Sequence, residues 1–282
     1  MSAARVFSHY QARPLLEYRH TPSVNAQLSP DLGLSKVDVR IEPQGVAFQD
    51  GSILDWEMID EICAARNNCF LLAEGQLHKI ILYSEQTGRV YSLMSTASAP
   101  TMLISGVPMH RIKDTDPYQD TLEKMRALRP VVGQVLDTAT GLGYTAIQAS
   151  QTAGRVTTIE LEQAALEIAR LNPWSQGLFD NPMIDQRIGD SAELIRDFED
   201  GSFTCILHDP PAFSLAGQLY SSEFYAQLYR VLTRRGRLFH YIGDPESKSG
   251  HNITRGVVRR LQEVGFHKVK VQPRAFGVTA SK

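Results

Sequence analysis

Cysteine is scarce in this chain of 282 residues: Cys63, Cys69 and Cys205 are the only three. None forms a C-x-x-C pair or sits among histidines at zinc-ligand spacing, so neither a disulfide framework nor a structural zinc site is expected. The bland reading is that all three are buried small hydrophobes in a reducing cytosol. No apolar run approaches the ~20 residues that cross a bilayer, and the opening MSAARVFSHYQARPLLEYRH lacks the continuous apolar stretch of a secretory leader. A cytoplasmic location is the expectation. An excess of either charge is missing too: 29 basic against 31 acidic residues leave a net charge of -2, which gives no whole-chain argument for nucleic acid or membrane. What is present is 43% hydrophobic and 21% charged residues, enough for a full core and incompatible with a disordered or fibrous chain. There is no internal repeat and no low-complexity tract.

Three segments are legible. Residues 1–115 read as a small β-rich domain: Val37, Val39 and Ile41 alternate, QDGS (49–52) marks a turn, and LDWEMIDEICAAR (54–66) carries helical spacing. The runs CFLLA (69–73), HKIILYS (78–84) and RVYSLMS (89–95) follow, with EGQ and EQTG as hairpin connections. This predicts a small antiparallel α+β domain. Residues 116–130 predict a connecting helix through Leu122, Met125 and Leu128. From 131 to 282 apolar runs alternate with helices, with runs at VGQVLDT, RVTTIEL, FTCILHD, GRLFHYI and HKVKVQP. That alternation predicts an α/β, Rossmann-like doubly wound and mostly parallel sheet.

The segment VLDTATGLGYTAIQAS sets Asp137 at the end of a strand, then Thr138, Ala139, Thr140, Gly141 and Gly143 in a turn, then a helix. Small residues let backbone approach a ligand, and a helix start offers unpaired N–H groups. A single GxG is also what an ordinary strand-to-helix turn shows. Two further acids at strand ends add to it. Glu160, followed by Leu161, closes TTIELE about twenty residues later, where a carboxylate can accept from ribose hydroxyls. Asp190 in RIGDSAEL is placed to meet an exocyclic amine, with Ser191 as the expected N-cap; a purely capping role for this pair is the bland alternative. NAD is the rival ligand for such geometry, and the missing third glycine speaks against it.

The order Asp137-x-x-x-Gly141-x-Gly143, Glu160, Gly189-Asp190, Asp209-Pro210-Pro211 resembles class I S-adenosylmethionine-dependent methyltransferases, over roughly residues 131–282. The resemblance implies S-adenosyl-L-methionine as cofactor, with Asp137 near its methionine part, the backbone of 138–143 around it, Glu160 at the ribose and Asp190 at the adenine. ARLNPWS, GDSAELI, HDPPAF, EFYAQLYRVL and GRLFHYIG are similar to a group of archaeal-type methyltransferases. The stretch is also similar to spermidine synthase, through a small β-rich domain in front, Gly189-Asp190, Asp209-Pro210 and the helix from Leu219 to Tyr225. That second resemblance implies decarboxylated S-adenosylmethionine and a polyamine acceptor, although the loop DTATGLG departs from a GGGDGG-type turn.

Asp209, Pro210 and Pro211 end a strand. Two prolines supply carbonyls but no N–H, so together with the Asp209 carboxylate they form an acceptor-only patch suited to an amine. Phe213 is the candidate stacking surface for a planar substrate, and His240, closing the next strand, is the candidate to take the amine proton. For both the alternative is plain core packing. Amino-methylating enzymes usually place the aromatic directly after the second proline, where this chain has Ala212; DPP-x-Phe looks like certain ribosomal RNA methyltransferases. Carbon methylation through a cysteine is disfavoured, because Cys205 lies upstream of the motif.

The near-zero net charge hides a split. Residues 230–282 hold 12 basic and three acidic residues, +9, and the preceding 229 residues come to -11. A basic C-terminal segment near the predicted acceptor site tilts the expectation toward RNA over a polyamine, with solvated helix faces as the bland reading. A homodimer is a further open expectation.

Overall fold

The computed structural model describes residues 5–21, 24–211 and 215–282. The chain divides into two compact units, Met1–Tyr118 with Ala164–Gln176, and Gln119–Gln163 with Gly177–Lys282.

In the first unit the predicted alternation becomes sheet. The strand Val37–Glu42 pairs antiparallel with Asn25–Leu28 and Gly45–Ala47, and the last of these with Ile53–Asp55. Val39, Ile41, Val46 and Leu54 point to one buried face. Asp55 caps the following helix Trp56–Ala64 by accepting from the Met58 N–H at 2.7 Å, and Ile59 and Ile62 of that helix complete the same core. The expected run HKIILYS does not form one strand. Its halves, Gln76–Lys79 and Ile81–Ser84, belong to different sheets, and the buried Ile80 between them bonds to Cys69 and Leu93. A single strand would have needed Ile80 in its ladder; a corner lets it serve both sheets. The EGQ hairpin has its turn at Glu74 and Gly75, both at positive φ, as a two-residue hairpin of the right twist requires. Cys69 and Cys205 are buried, whereas Cys63 is only half-buried.

The second unit is built on a seven-stranded sheet. We label its strands β1 (Gln134–Asp137), β2 (Arg155–Glu160), β3 (Ile184–Ile188), β4 (Phe203–His208), β5 (Leu232–Tyr241), β6 (His267–Gln272) and β7 (Gly277–Ser281). Their order is β3-β2-β1-β4-β5-β7-β6, with β7 antiparallel to both neighbours and every other pairing parallel. The doubly wound reading is borne out. The order reverses between β1 and β4, and it is outside the carboxyl ends of such strands that open α/β sheets collect their ligands. The helices of this unit are α1 (Pro117–Leu128, from Gln119 on), α2 (Tyr144–Ser150), α4 (Ser191–Leu194), α5 (Ser222–Val231) and α6 (Lys248–Glu263), while α3 (Gln163–Leu171), which follows β2 in the chain, falls from Ala164 on in the first unit. Phe224, Tyr225, Leu228 and Val231 of α5 and Val257 and Leu261 of α6 pack with Leu136, Ile206, Leu238 and Val278 of the sheet. α6 starts at Lys248 because Ser247 caps it by accepting from the Gly250 N–H.

Candidate active site

The register brings the motif residues to one sheet edge. Asp137 sits opposite Leu207 in the ladder between β1 and β4, and His208 opposite His240 between β4 and β5. Asp137, Asp209 and Tyr241 therefore come together at the carboxyl end of three neighbouring strands.

Asp137 is fully buried. Its Oδ2 accepts from Thr145 Oγ1 at 3.0 Å and Thr158 Oγ1 at 3.1 Å, while Oδ1 is buried with no hydrogen-bond partner among the described residues. Burial pushes its carboxyl up to about 7; the two threonine hydroxyls oppose that shift and the negative charge of Asp209 adds to it. Glu160 holds the loop from the next strand: one carboxylate oxygen accepts from the Gly141 N–H at 2.8 Å and the other from the Glu162 N–H at 3.1 Å. Burial raises its carboxyl too, against those N–H groups. Gly141 and Gly143 both adopt left-handed φ, +53° and +77°. A Cβ on Gly143 would meet Leu178 at 2.7 Å, whereas one on Gly141 would meet nothing within 4 Å. Gly143 is needed for packing, and Gly141 keeps open space clear in front of the loop. A half-buried Ala139 lies between Thr138 and Thr140, which are both buried, and the Thr140 hydroxyl is 2.7 Å from that of Thr158.

Asp190 rather than Ser191 is the N-cap of α4, accepting from the Ala192 N–H at 2.8 Å. The Ser191 hydroxyl instead donates to the Thr138 carbonyl at 2.6 Å, so the third strand end is tied to the glycine loop. The Leu161 side chain is exposed.

At the end of β4, Asp209 meets a residue the motif reading had missed. Lys124 Nζ lies 2.6 Å from Asp209 Oδ2 and 2.8 Å from Asp120 Oδ2, and 4.7 Å from the centre of the Tyr241 ring. Lys124 and Asp120 are 2% and 0% exposed, and Asp209 18%. Burial alone would discharge the lysine, but the two carboxylates outweigh it and raise its pKa, so the ammonium stays charged. Burial likewise raises Asp209, and Lys124 opposes that shift. A signal for the pair was in the sequence: Asp120, Thr121 and Lys124 lie on the same helical face as Met125 and Leu128, where an amphipathic helix carries apolar side chains.

Pro210 and Pro211 follow, and the Pro211 carbonyl already accepts from the Tyr220 hydroxyl at 3.1 Å. Phe213 lies outside the described residues. His240 does not meet the expectation of a proton acceptor. It is fully buried, with Nδ1 3.3 Å from the His208 carbonyl and Nε2 2.8 Å from the Tyr225 hydroxyl. Nδ1 therefore carries the proton and Nε2 accepts, leaving no nitrogen open, and burial holds the ring well below the usual histidine range.

The basic C-terminal segment is partly spent on the fold. Arg230 bonds to Asp200 and to the carbonyls of Phe198 and Ile195, Arg237 to the Pro130 carbonyl, and Lys282 to the carbonyls of Arg230 and Leu232. Arg234, Arg235, Arg255, Arg259, Lys268, Lys270 and Arg274 are exposed. No group of three or more histidine, cysteine or acidic side chains able to hold a metal occurs among the described residues, and none of their helices is long and apolar enough to cross a membrane.

A sheet of this order, with acids at the ends of its first four strands and a glycine loop after the first, defines a class I S-adenosylmethionine-dependent methyltransferase. Residues 136–240 match the family described as "Methyltransferase domain". The chain is 39% identical over 261 residues to the uncharacterized protein MJ1233 of Methanocaldococcus jannaschii, covering 92% of this chain and 88% of that one. It belongs to the same family as that protein, and it is an S-adenosylmethionine-dependent methyltransferase. Solved structures share the fold. Spermidine synthase in complex with the transition-state analogue AdoDATO superimposes with a TM-score of 0.60 at 21% identity, over 73% of this chain and 76% of that one. Spermidine synthase from Thermotoga maritima does so with a TM-score of 0.56 at 22% identity, over 73% and 75%.

Proposed function

We propose that the enzyme methylates a neutral amine nitrogen on an RNA base. The observation that carries this reading is the Asp209 carboxylate at the end of β4, paired with Lys124 Nζ at 2.6 Å and followed by two residues without N–H groups. Such an edge accepts hydrogen bonds and donates none from its next two residues, which suits an NH2 group. When bound, S-adenosylmethionine supplies an electrophilic methyl group. The residues that would hold it are Asp137, the backbone of 138–143, Glu160 and Asp190. The orphaned Asp137 Oδ1 and the space kept clear at Gly141 fit a ligand with a cationic end. Asp209 orients the nitrogen lone pair, the N–C bond forms as the S–C bond breaks, and we assign to Asp209, in place of His240, the proton that the amine sheds. Much of the rate gain in such a displacement is alignment.

RNA as the carrier of that amine draws support from β6. This edge strand runs parallel to β4, exposes Lys268 and Lys270, and leads into Arg274 at the same carboxyl edge as Asp209.

Incubating the full chain with methyl-labelled S-adenosylmethionine and total RNA, and separately with putrescine and spermidine, tests the reading. Label in an N-methylated nucleoside is the expected result. Label in polyamine alone, or aminopropyl transfer from the decarboxylated cofactor, overturns it. Asp209→Asn should slow transfer by about 10²- to 10⁴-fold with cofactor affinity nearly unchanged.

A further inference from the structure

We infer that Lys124 fills the cation position of the acceptor site from inside the fold, so that the enzyme takes an uncharged amine and rejects alkylammonium substrates. The inference rests on the reading of Asp209 as the group that meets the acceptor.

Two carboxylates and the face of a tyrosine converging on one point are what a protein uses to hold an organic ammonium ion: the acids supply opposite charge and the ring its negative face. Asp120, Asp209 and Tyr241 make that arrangement here, at 2.8, 2.6 and 4.7 Å from a single nitrogen. The nitrogen belongs to the chain itself. It is 2% exposed, and Asp120, deepest of the three, is 0% exposed, so a diffusing cation reaches this spot only by replacing Lys124. Of the two carboxylates, Asp209, 18% exposed, is the one that meets solvent and is open to an acceptor. Its Oδ2 is spent on the lysine, which leaves the other oxygen to accept from an N–H that brings no charge of its own.

An ordinary surface ion pair would not make this distinction, because neither partner would be closed off and exchange with a free cation would cost little. Here the helix delivers Asp120 and Lys124 one turn apart on its buried face, and the geometry is fixed before any acceptor arrives. Acceptor choice is therefore written on α1, outside the motif at the end of β4.

The test is binding, read by calorimetry on the full chain with putrescine as the probe. The wild type should show no saturable binding, and Lys124→Ala, which empties the position and leaves both carboxylates, should bind putrescine saturably, at least about tenfold more tightly than the weakest binding the wild-type titration would detect. The gain should vanish again when Asp209→Asn is added. A folded Lys124→Ala protein, judged by its thermal transition, that shows no gain overturns the inference. So does saturable putrescine binding to the wild type that Asp209→Asn removes. Should Lys124→Ala fail to fold, the comparison of wild type with Asp209→Asn decides alone: no difference and no binding supports it. Because no turnover is read, a failure to methylate RNA overturns the proposed reaction and leaves this result standing.

Discussion

Thr138 and His208 are joined by a 2.7 Å contact between hydroxyl and Nδ1, and this bond ties the cofactor loop to the residue before Asp209. His208 Nε2 lies 2.9 Å from the Leu219 carbonyl, so Nε2 carries the proton and Nδ1 accepts from the threonine. Thr138→Val keeps the shape and removes the donor. It should cost about 1–3 kcal/mol, the desolvation penalty of a buried acceptor left unpaired, and Thr138→Ser should recover most of it. Urea denaturation of the three proteins checks this.

Burial holds His208 neutral down to about 3 and keeps His240 well below the usual histidine range. Both folded values lie under the unfolded one. The stability these rings contribute is complete above about pH 6.5 and erodes as the pH falls from there toward 3, where the unfolded chain binds protons that the folded chain refuses. The ring resonances of both should stay unchanged in nuclear magnetic resonance spectra between pH 8 and pH 5 while the thermal midpoint drops. A midpoint near 6.5 in either ring would show that the core is open to water.

Asp137 runs the other way. Its folded value of about 7 lies above the unfolded one, so its contribution is complete below about pH 4 and is lost as the pH rises through 7. A cation bound beside it must find it ionised. Cofactor affinity should therefore fall about tenfold per pH unit below 7, with up to one proton released on binding. Titrations in buffers of different ionisation enthalpy measure that proton, and Asp137→Asn should abolish the dependence.

The two loop glycines should respond differently to the same substitution. Gly143→Ala puts a methyl group 2.7 Å from Leu178 at a left-handed φ and should cost a few kcal/mol of stability. Gly141→Ala, with nothing within 4 Å, should cost only about 1 kcal/mol and lose cofactor affinity instead. Thermal melts and cofactor titrations of both variants separate the effects.

The second unit was legible because its signals are local. Continuous apolar strands, a glycine loop and acids at strand ends each fall within a few residues, and the alternation of strands with helices marks a doubly wound sheet. What escaped depends on contacts distant in sequence. Nothing near HDPPAF announces that Lys124 sits on Asp209, 85 residues away. The sequence assigned His240 a chemical role because histidine so often has one, but the register that puts it opposite His208 also closes both its nitrogens. The cap of α4 was misplaced by a single residue, since serine and aspartate compete for that position and only backbone geometry separates them. The charge split was real in count, yet Arg230, Arg237 and Lys282 turned out to serve backbone carbonyls of the fold.

The buried ion cluster has an evolutionary consequence. Removing one member of such a set strands the charge of another, which costs about 3–5 kcal/mol, whereas exchanging the set for apolar residues of similar volume is often nearly neutral. Asp120 and Lys124 should then be inherited as a unit. A descendant that gives up Lys124 should have given up Asp120 in the same lineage, and where both have gone, position 209 is free to hold an uncharged side chain and the enzyme to acquire a different acceptor.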